Sequence, residues 1–330
     1  MFALIRALTL SALCILLLVT ASRNARACSV CLAGDPNFSA QGTSAQQIGD
    51  FSVFLQAQGW KKESGVLPGE HQEEEGEDGE GKAKERNTSQ RLDLYLSWTP
   101  LDRVTFTLDV PWAFNEIEEI EGGQSETFTH AGLADISLQS SVVLWRNRDV
   151  LPTTWLEGRA FLKAPTGQRK KRVGGVRDPH LQVGTGSWDY GFGLAGAHRL
   201  EWASLYASVF YRINTGGALD YEYGDVALAN AAIEVPLGHA FGVLLLDPLT
   251  PGLELNYRWA AQDKFEGQGF RDSGGSIVYL TPSLRVTLPW AAEGHRSFLR
   301  GAVQVPLATS SLNGFQDEDP IWFVGIGYAF

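Results

Sequence analysis

Thirteen ionisable residues sit on the polar side of segments that otherwise alternate apolar with polar. They are Asp93, Asp109, Asp135, Glu157, Arg159, Lys163, Asp189, Arg212, Glu234, Glu254, Arg258, Arg285 and Arg300. Carboxylates and guanidiniums gathered around one enclosed space can do two things. They can line a polar pore and set which ions or solutes pass, or they can pair with one another and cross-link a filled interior. Both readings stand on the sequence.

Other residue patterns point to narrower chemistry. Cys28 and Cys31 form a C-x-x-C pair, but Leu32 stands where a haem-attachment motif needs His. A local disulfide suits an oxidising compartment, two thiolates can share a soft metal, and Cys28 alone could carry a lipid. These three uses stay open. His71-Gln-Glu-Glu-Glu75 could collect divalent cations or be a solvated loop, and Arg169-Lys-Lys-Arg172 could meet lipopolysaccharide phosphates or be solvated as well. The six His fall mostly in loops or turns. Neither G-x-S-x-G nor H-E-x-x-H occurs. We therefore expect no enzyme and no cofactor. A net charge of −11 argues against nucleic acid as a partner.

The elements that must position these residues follow from periodicity. Residues 1–27 read as an export signal, with Arg6, an apolar run from Ala7 to Ala21, and an Ala25-Arg26-Ala27 cleavage site. Residues 28–48 read as a periplasmic segment carrying the C-x-x-C pair. Residues 49–330 then show about twelve alternating stretches of roughly ten residues, the length a tilted strand needs to cross a membrane. The expected stretches are Asp50–Gly59, Arg91–Trp98, Arg103–Phe114, Gly132–Trp145, Thr154–Ala164 and Val183–Leu200. Ser204–Asn214, Val226–Pro236, Gly252–Ala260, Ser276–Leu288, Ser297–Pro306 and Ile321–Phe330 follow. Pro282 predicts a bulge or bend. Residues 61–90, rich in Glu, Gly and Lys, are expected to be a disordered acidic loop outside the cell, and 115–131 a polar loop. The connection from Leu237 to Pro251 is apolar on both faces over Phe241–Leu246, which suggests a hairpin extension or a plug.

Connection length sorts by parity. Loops after odd-numbered strands are long and polar, and most turns after even-numbered strands are shorter. A soluble sandwich has no reason for this. An antiparallel transmembrane β-barrel with periplasmic N- and C-termini does, because its long loops all emerge outside a Gram-negative cell. An Arg or Lys on the lipid side of such a barrel costs about 2–4 kcal/mol at the midplane, so the charged faces are expected to line the lumen. The chain ends Ile-Trp-Phe-Val-Gly-Ile-Gly-Tyr-Ala-Phe, with Trp322, Val324, Ile326, Tyr328 and Phe330 on one face. This ending resembles the terminal signal of outer-membrane barrels, which implies that Tyr328 and Phe330 are read by the barrel-assembly machinery. Lipids and lipopolysaccharide become the expected surroundings, and a small-molecule solute the expected cargo.

Three internal stretches carry a further resemblance: Gly132-Leu-Ala-Asp135, Lys163-Ala-Pro-Thr-Gly167, and Gly184-Thr-Gly-Ser-Trp-Asp-Tyr-Gly-Phe-Gly193. They resemble the motifs of outer-membrane proteins named after the meta-pathway of phenol degradation. The resemblance covers roughly Phe51 to Phe330. It implies a barrel that passively transports or binds small solutes, among them aromatic or hydrophobic compounds, and it fixes no substrate. The alternative is a closed structural or binding barrel whose Cys28–Cys31 segment engages a metal or a periplasmic partner.

Overall fold

The structure is a computed structural model and describes residues 49–64, 84–121, 124–169, 181–269, 273–292, 294–310 and 316–330. The expected export signal, Cys28, Cys31 and the Arg169–Arg172 cluster beyond Arg169 lie outside the described residues, as does His71. Twelve long antiparallel strands make one sheet that closes on itself. They are β1 (Phe51–Ser64), β2 (Lys84–Leu101), β3 (Val104–Glu121) and β4, which has two segments (Gln124–Leu133 and Ser137–Arg146). Next come β5 (Thr154–Lys163), β6 (Asp189–Arg199), β7 (Ser204–Ile213) and β8 (Val226–Glu234). The last four are β9 (Leu249–Ala260), β10 (Gly275–Leu288), β11 (Arg296–Ser310) and β12 (Ile321–Ala329).

Each strand pairs with its sequence neighbour, and β1 pairs with both β2 and β12. The short segment Gln316–Glu318 continues the pairing along the upper part of β1. Closure leaves no open edge, so the ladder satisfies the backbone groups within the hydrocarbon layer. With strands about 4.8 Å apart and tilted about 40°, twelve of them trace a backbone cylinder of about 12 Å radius.

Alternation decides which face is which. On β12, Trp322, Val324 and Ile326 are exposed, whereas Ile321, Phe323, Gly325 and Gly327 are buried. On β6, Tyr190, Phe192 and Leu194 are exposed and Asp189, Gly191 and Ala195 buried. The exposed apolar set recurs on every barrel strand except β8 and forms the belt that meets lipid, with Trp98, Trp112 and Trp145 among its aromatic members. The chain is thus an all-β transmembrane barrel of the outer membrane. Both described ends meet at the short-turn, periplasmic end: the Phe330 N–H donates to the Phe51 carbonyl at 2.8 Å, and Gly49 N–H to Thr99 at 2.8 Å.

The structure moves several expected boundaries. Residues 61–64 and 84–90 are strand rather than disordered loop; residues 65–83 lie outside the described set. Likewise most of 115–131 is not a loop, because β3 and β4 continue as a long hairpin beyond the belt. The outer face meets water there, while the inner face buries Ile117 and Phe128, and polar residues join the strands: Arg86 bonds Glu118 at 2.9 Å and Ser89 bonds Asn115 at 2.7 Å. Val183–Ser187 is not strand, and β6 starts only at Asp189. Between the segments of β4, Ala134 and Asp135 are buried in succession, and the register with β3 slips by one residue, the mark of a bulge. The irregularity in β10 falls at Val278/Tyr279, not at Pro282. Of the connection expected over Leu237–Pro251, the last residues extend the strand, since β9 begins at Leu249. The rest is not a plug but a one-turn helix (Leu237–Phe241) and a 3-10 turn (Leu244–Leu246) at the periplasmic rim, with Phe241, Leu244 and Leu245 exposed.

Candidate functional site: the lumen wall

Strand parity places twelve of the thirteen ionisable residues on the inner face and the bulge in β4 adds Asp135; eleven are buried, with Arg285 and Arg300 only partly so. They gather in three groups. The first is on β2 and β3, where Arg91 reaches Asp93 at 2.6 Å and Asp109 at 3.8 Å, and Gln58 of β1 donates to Asp93 at 2.7 Å.

The second is built by the three motifs. The bulge in β4 turns Asp135 inward. Its carboxylate accepts the Gly167 N–H at 2.9 Å, the Thr185 N–H at 2.8 Å and the Thr185 hydroxyl at 2.7 Å. Lys163 lies between Asp135 at 3.3 Å and Asp189 at 2.5 Å, and also donates to Thr185. Arg212 reaches Asp189 at 3.5 Å. Gly167 and Gly184 touch backbone to backbone; a Cβ on either would fall within 2.7 Å of the other's main chain. These contacts draw residues 181–187 against the inner wall, where Leu181 packs with Ile117 and Phe128, and Val183 with Ala113 and Ala134. Glu157 and Arg159, paired at 2.7 Å on β5, lie beside this group.

The third group spans β7 to β11. Glu234 accepts from Arg285 at 3.1 Å and from the Tyr206 hydroxyl at 3.2 Å. Arg300 lies within electrostatic reach of Glu254, Glu234 and Arg285. Arg258 sits over the Tyr279 ring at 5.7 Å. Further along the same wall runs an uncharged ladder: Asn230 donates to Ser208 at 3.0 Å, Asn256 to Asn230 at 2.9 Å, and Thr281 to Asn256 at 2.7 Å.

Periodicity did not reveal how the large inward side chains are disposed. Gly325 and Gly327 of β12 leave bare backbone on the inner face. Phe54 of β1 and Phe298 of β11, from the strands on either side, fold over it and stack at 5.7 Å. A Cβ on Gly327 would lie 2.3 Å from the Phe298 ring, and one on Gly325 2.5 Å from Phe54. The same arrangement recurs on β6. Phe161 of β5 and Phe210 of β7 meet edge to face at 6.2 Å, and a Cβ on Gly191 would lie 2.4 Å from Phe210. The sequence signal was present as Gly-Phe-Gly and Gly-Ile-Gly, but it means this only once the neighbouring strands and their register are known.

Long loops brace the extracellular end. Asp263, fully buried, accepts the Tyr221 hydroxyl at 2.5 Å and the Gly224 N–H at 2.7 Å, and its own N–H donates to Ser273. Two-residue strands Tyr221–Glu222, Lys264–Phe265 and Gln268–Gly269 pair beside it. The Lys264 ammonium bonds Glu222 at 2.7 Å, and that hydrogen bond raises its pKa. Among the described residues no group of three or more His, Cys, Asp or Glu is arranged to hold a metal ion.

No protein-family model matches the sequence, and no curated protein matches it. Solved structures match in fold. An outer-membrane channel from Pseudomonas putida F1 superposes with a TM-score of 0.60 at 15% identity, covering 92% of this chain and 100% of that one. The translocator domain of the autotransporter NalP from Neisseria meningitidis gives 0.44 at 10% identity, over 88% and 91% of the two chains. A Pseudomonas aeruginosa FadL homologue gives 0.38 at 8%, over 86% and 90%. The first likeness is one of fold, and it sets this chain among Gram-negative outer-membrane barrels.

Proposed function

We propose that the barrel is a passive channel through which small solutes cross the outer membrane. One observation carries this reading: the large inward side chains lie along the wall. Phe54 and Phe298 cover β12, Phe161 and Phe210 cover β6, and these two strands stand six apart among twelve, on opposite sides of the lumen. The ion pairs follow the wall too. Lys163 joins β5 to β4 and β6, and Arg212 joins β7 to β6. Arg285 on β10 reaches Glu234 on β8, two strands away. A barrel closed by its own side chains would send such groups across the centre. A cylinder of about 12 Å backbone radius leaves room for a water path when side chains hug the wall.

The resemblance to proteins named after the meta-pathway of phenol degradation supports the same class of function. Its three motifs form the Asp135–Lys163–Asp189 junction that holds residues 181–187 against the wall. Aromatic rings on the inner face suit solutes with an apolar part. No step in such transport calls for catalysis. Insertion by the barrel-assembly machinery would read the seam strand, with Tyr328 and Phe330 at its end.

Planar-bilayer recording tests the proposal. The refolded, heat-modifiable barrel should give stepwise conductance. Absence of steps from protein that migrates as a folded barrel would refute it and favour a closed binding barrel.

A further inference from the structure

The chain is acidic overall, yet a solute in the lumen meets cations. In the inner-face ion pairs the cation is generally the more exposed partner. Side-chain exposure is 18% for Arg91 against 0% for Asp93, 9% for Lys163 against 1% for Asp189, and 37% for Arg285 against 6% for Glu234. Arg159 and Glu157, at 4% and 5%, are the pair that departs from this. The cause is reach. Carboxylates on short stems sit flush with the wall, and the longer Arg and Lys side chains lie over them.

The asymmetry is greatest in the periplasmic half. Arg285 and Arg300 are directly opposite on β10 and β11. Like charges so placed repel. Glu234 takes one hydrogen bond from Arg285 and spends further capacity on Tyr206. A guanidinium has five donors in a planar fork that fits a carboxylate. Arg199, over the Trp155 ring at 5.0 Å, stands within electrostatic reach of Tyr206 together with Arg285. Arg296 is exposed on the same inner face at the start of β11. Against Arg199, Arg285, Arg296 and Arg300 stand Glu234 and Glu254, both buried. Phe298, two residues from Arg300 on the inner face, lays an apolar ring beside them.

We propose that the Arg285–Arg300 pair is an anion subsite at the periplasmic half of the lumen, and that it selects small organic anions, carboxylates above all, over cations. This rests on the channel reading. An anion between the two guanidiniums relieves their repulsion, and the buried glutamates hold them in place without neutralising the surface that a solute meets. Selectivity then follows the side chains exposed in the lumen, not the charge of the whole chain.

The experiment is the reversal potential of the bilayer-inserted barrel under a KCl gradient, repeated with potassium acetate. The wild type should pass chloride over potassium by at least about twofold, and acetate should keep the anion preference. Arg285→Gln should remove at least half of it, and Arg285→Lys should restore most. Arg86→Gln removes the same charge from the extracellular hairpin, outside the lumen, and should leave the ratio unchanged. A cation-preferring wild type, or equal shifts from Arg285→Gln and Arg86→Gln, overturns the subsite. Chloride preference with acetate excluded overturns the carboxylate assignment. Conduction with cation preference sinks the subsite and leaves the channel standing, whereas no conduction sinks both.

Discussion

Replacing Gly327 by Ala puts the wall-hugging arrangement to a quantitative test. The new Cβ would stand 2.3 Å from Cζ of Phe298 and 2.5 Å from its Cε1. Carbon atoms in contact keep about 3.5–4.0 Å apart, so the ring must retreat by about 1.2–1.7 Å. The β11–β12–β1 ladder closes the outward route, and the Phe54 ring blocks the sideways one. The ring therefore moves into the lumen. If inward side chains take about 6 Å of the roughly 12 Å backbone radius, the free opening is about 110 Å². A shift of about 1.5 Å over a front of about 10 Å removes about 15 Å², so unitary conductance should fall by about 15%. Gly191→Ala acts on the opposite wall through Phe210, whose Cζ would lie 2.4 Å away, and the double variant should lose about 30%. Overpacking of this kind also destabilises by about 1–3 kcal/mol, which urea unfolding would register. Adding Phe298→Ala to Gly327→Ala should return conductance to the wild-type value or above it. The reasoning is refuted if the folded double variant conducts like the wild type, or if removing Phe298 gives no relief.

Two further outcomes follow from the same contacts. Asp135→Ala removes a buried carboxylate that receives the Gly167 N–H, the Thr185 N–H, the Thr185 hydroxyl and an ion pair from Lys163. Stability in urea should fall by about 3–5 kcal/mol, and conductance should rise as residues 181–187 leave the wall; a loss under about 1 kcal/mol would show that the junction is not held through Asp135. Deleting Phe330 removes the N–H that bonds Phe51 at 2.8 Å and the ring packed on Tyr328 at 4.7 Å. The heat-modifiable fraction after refolding into vesicles should drop severalfold, and undiminished folding would count against a seam role for the last residue.

The parts of this fold that could be read from the sequence are those where lipid and lumen impose opposite demands. On β9, Leu253 and Tyr257 alternate with Glu254 and Arg258 because the two faces meet different solvents. Where the outer face meets water instead of lipid, as at Arg86–Gln90 and Asn115–Thr129, the alternation thins to a few inward apolar residues such as Ile117 and Phe128, and strand looks like loop. The bulge at Ala134–Asp135 was hidden for a different reason. Asp135 sits at an inward position in a regular strand and equally at a break, and only Gly167 and Thr185, far along the chain, show why the strand breaks there. The inner-face charges could be identified one by one, but their grouping depends on register, which brings Arg285 opposite Arg300. The roles of Phe54 and Phe298 were not legible, since each acts through glycines on another strand.

Register also explains why a net charge of −11 misleads about the lumen. A sum over the chain weighs the exposed Glu266 and the buried Glu254 in the wall equally. A solute weighs each charge by distance and by the low-polarity material between them. Glu254 is 2% exposed and Asp93 is not exposed at all, so each acts on a solute only in combination with the cation lying over it. Such a pair is a dipole with its positive end toward the pore. A wall lined with these dipoles attracts anions even where charges balance, and two arginines set directly opposite, as Arg285 and Arg300 are, strengthen that field. Exchanging the members of one pair, Glu for Arg and Arg for Glu, keeps both the sum and the order of burial, because the longer side chain still reaches further inward. The selectivity of such a barrel therefore resists charge-conserving swaps and yields to changes in side-chain length.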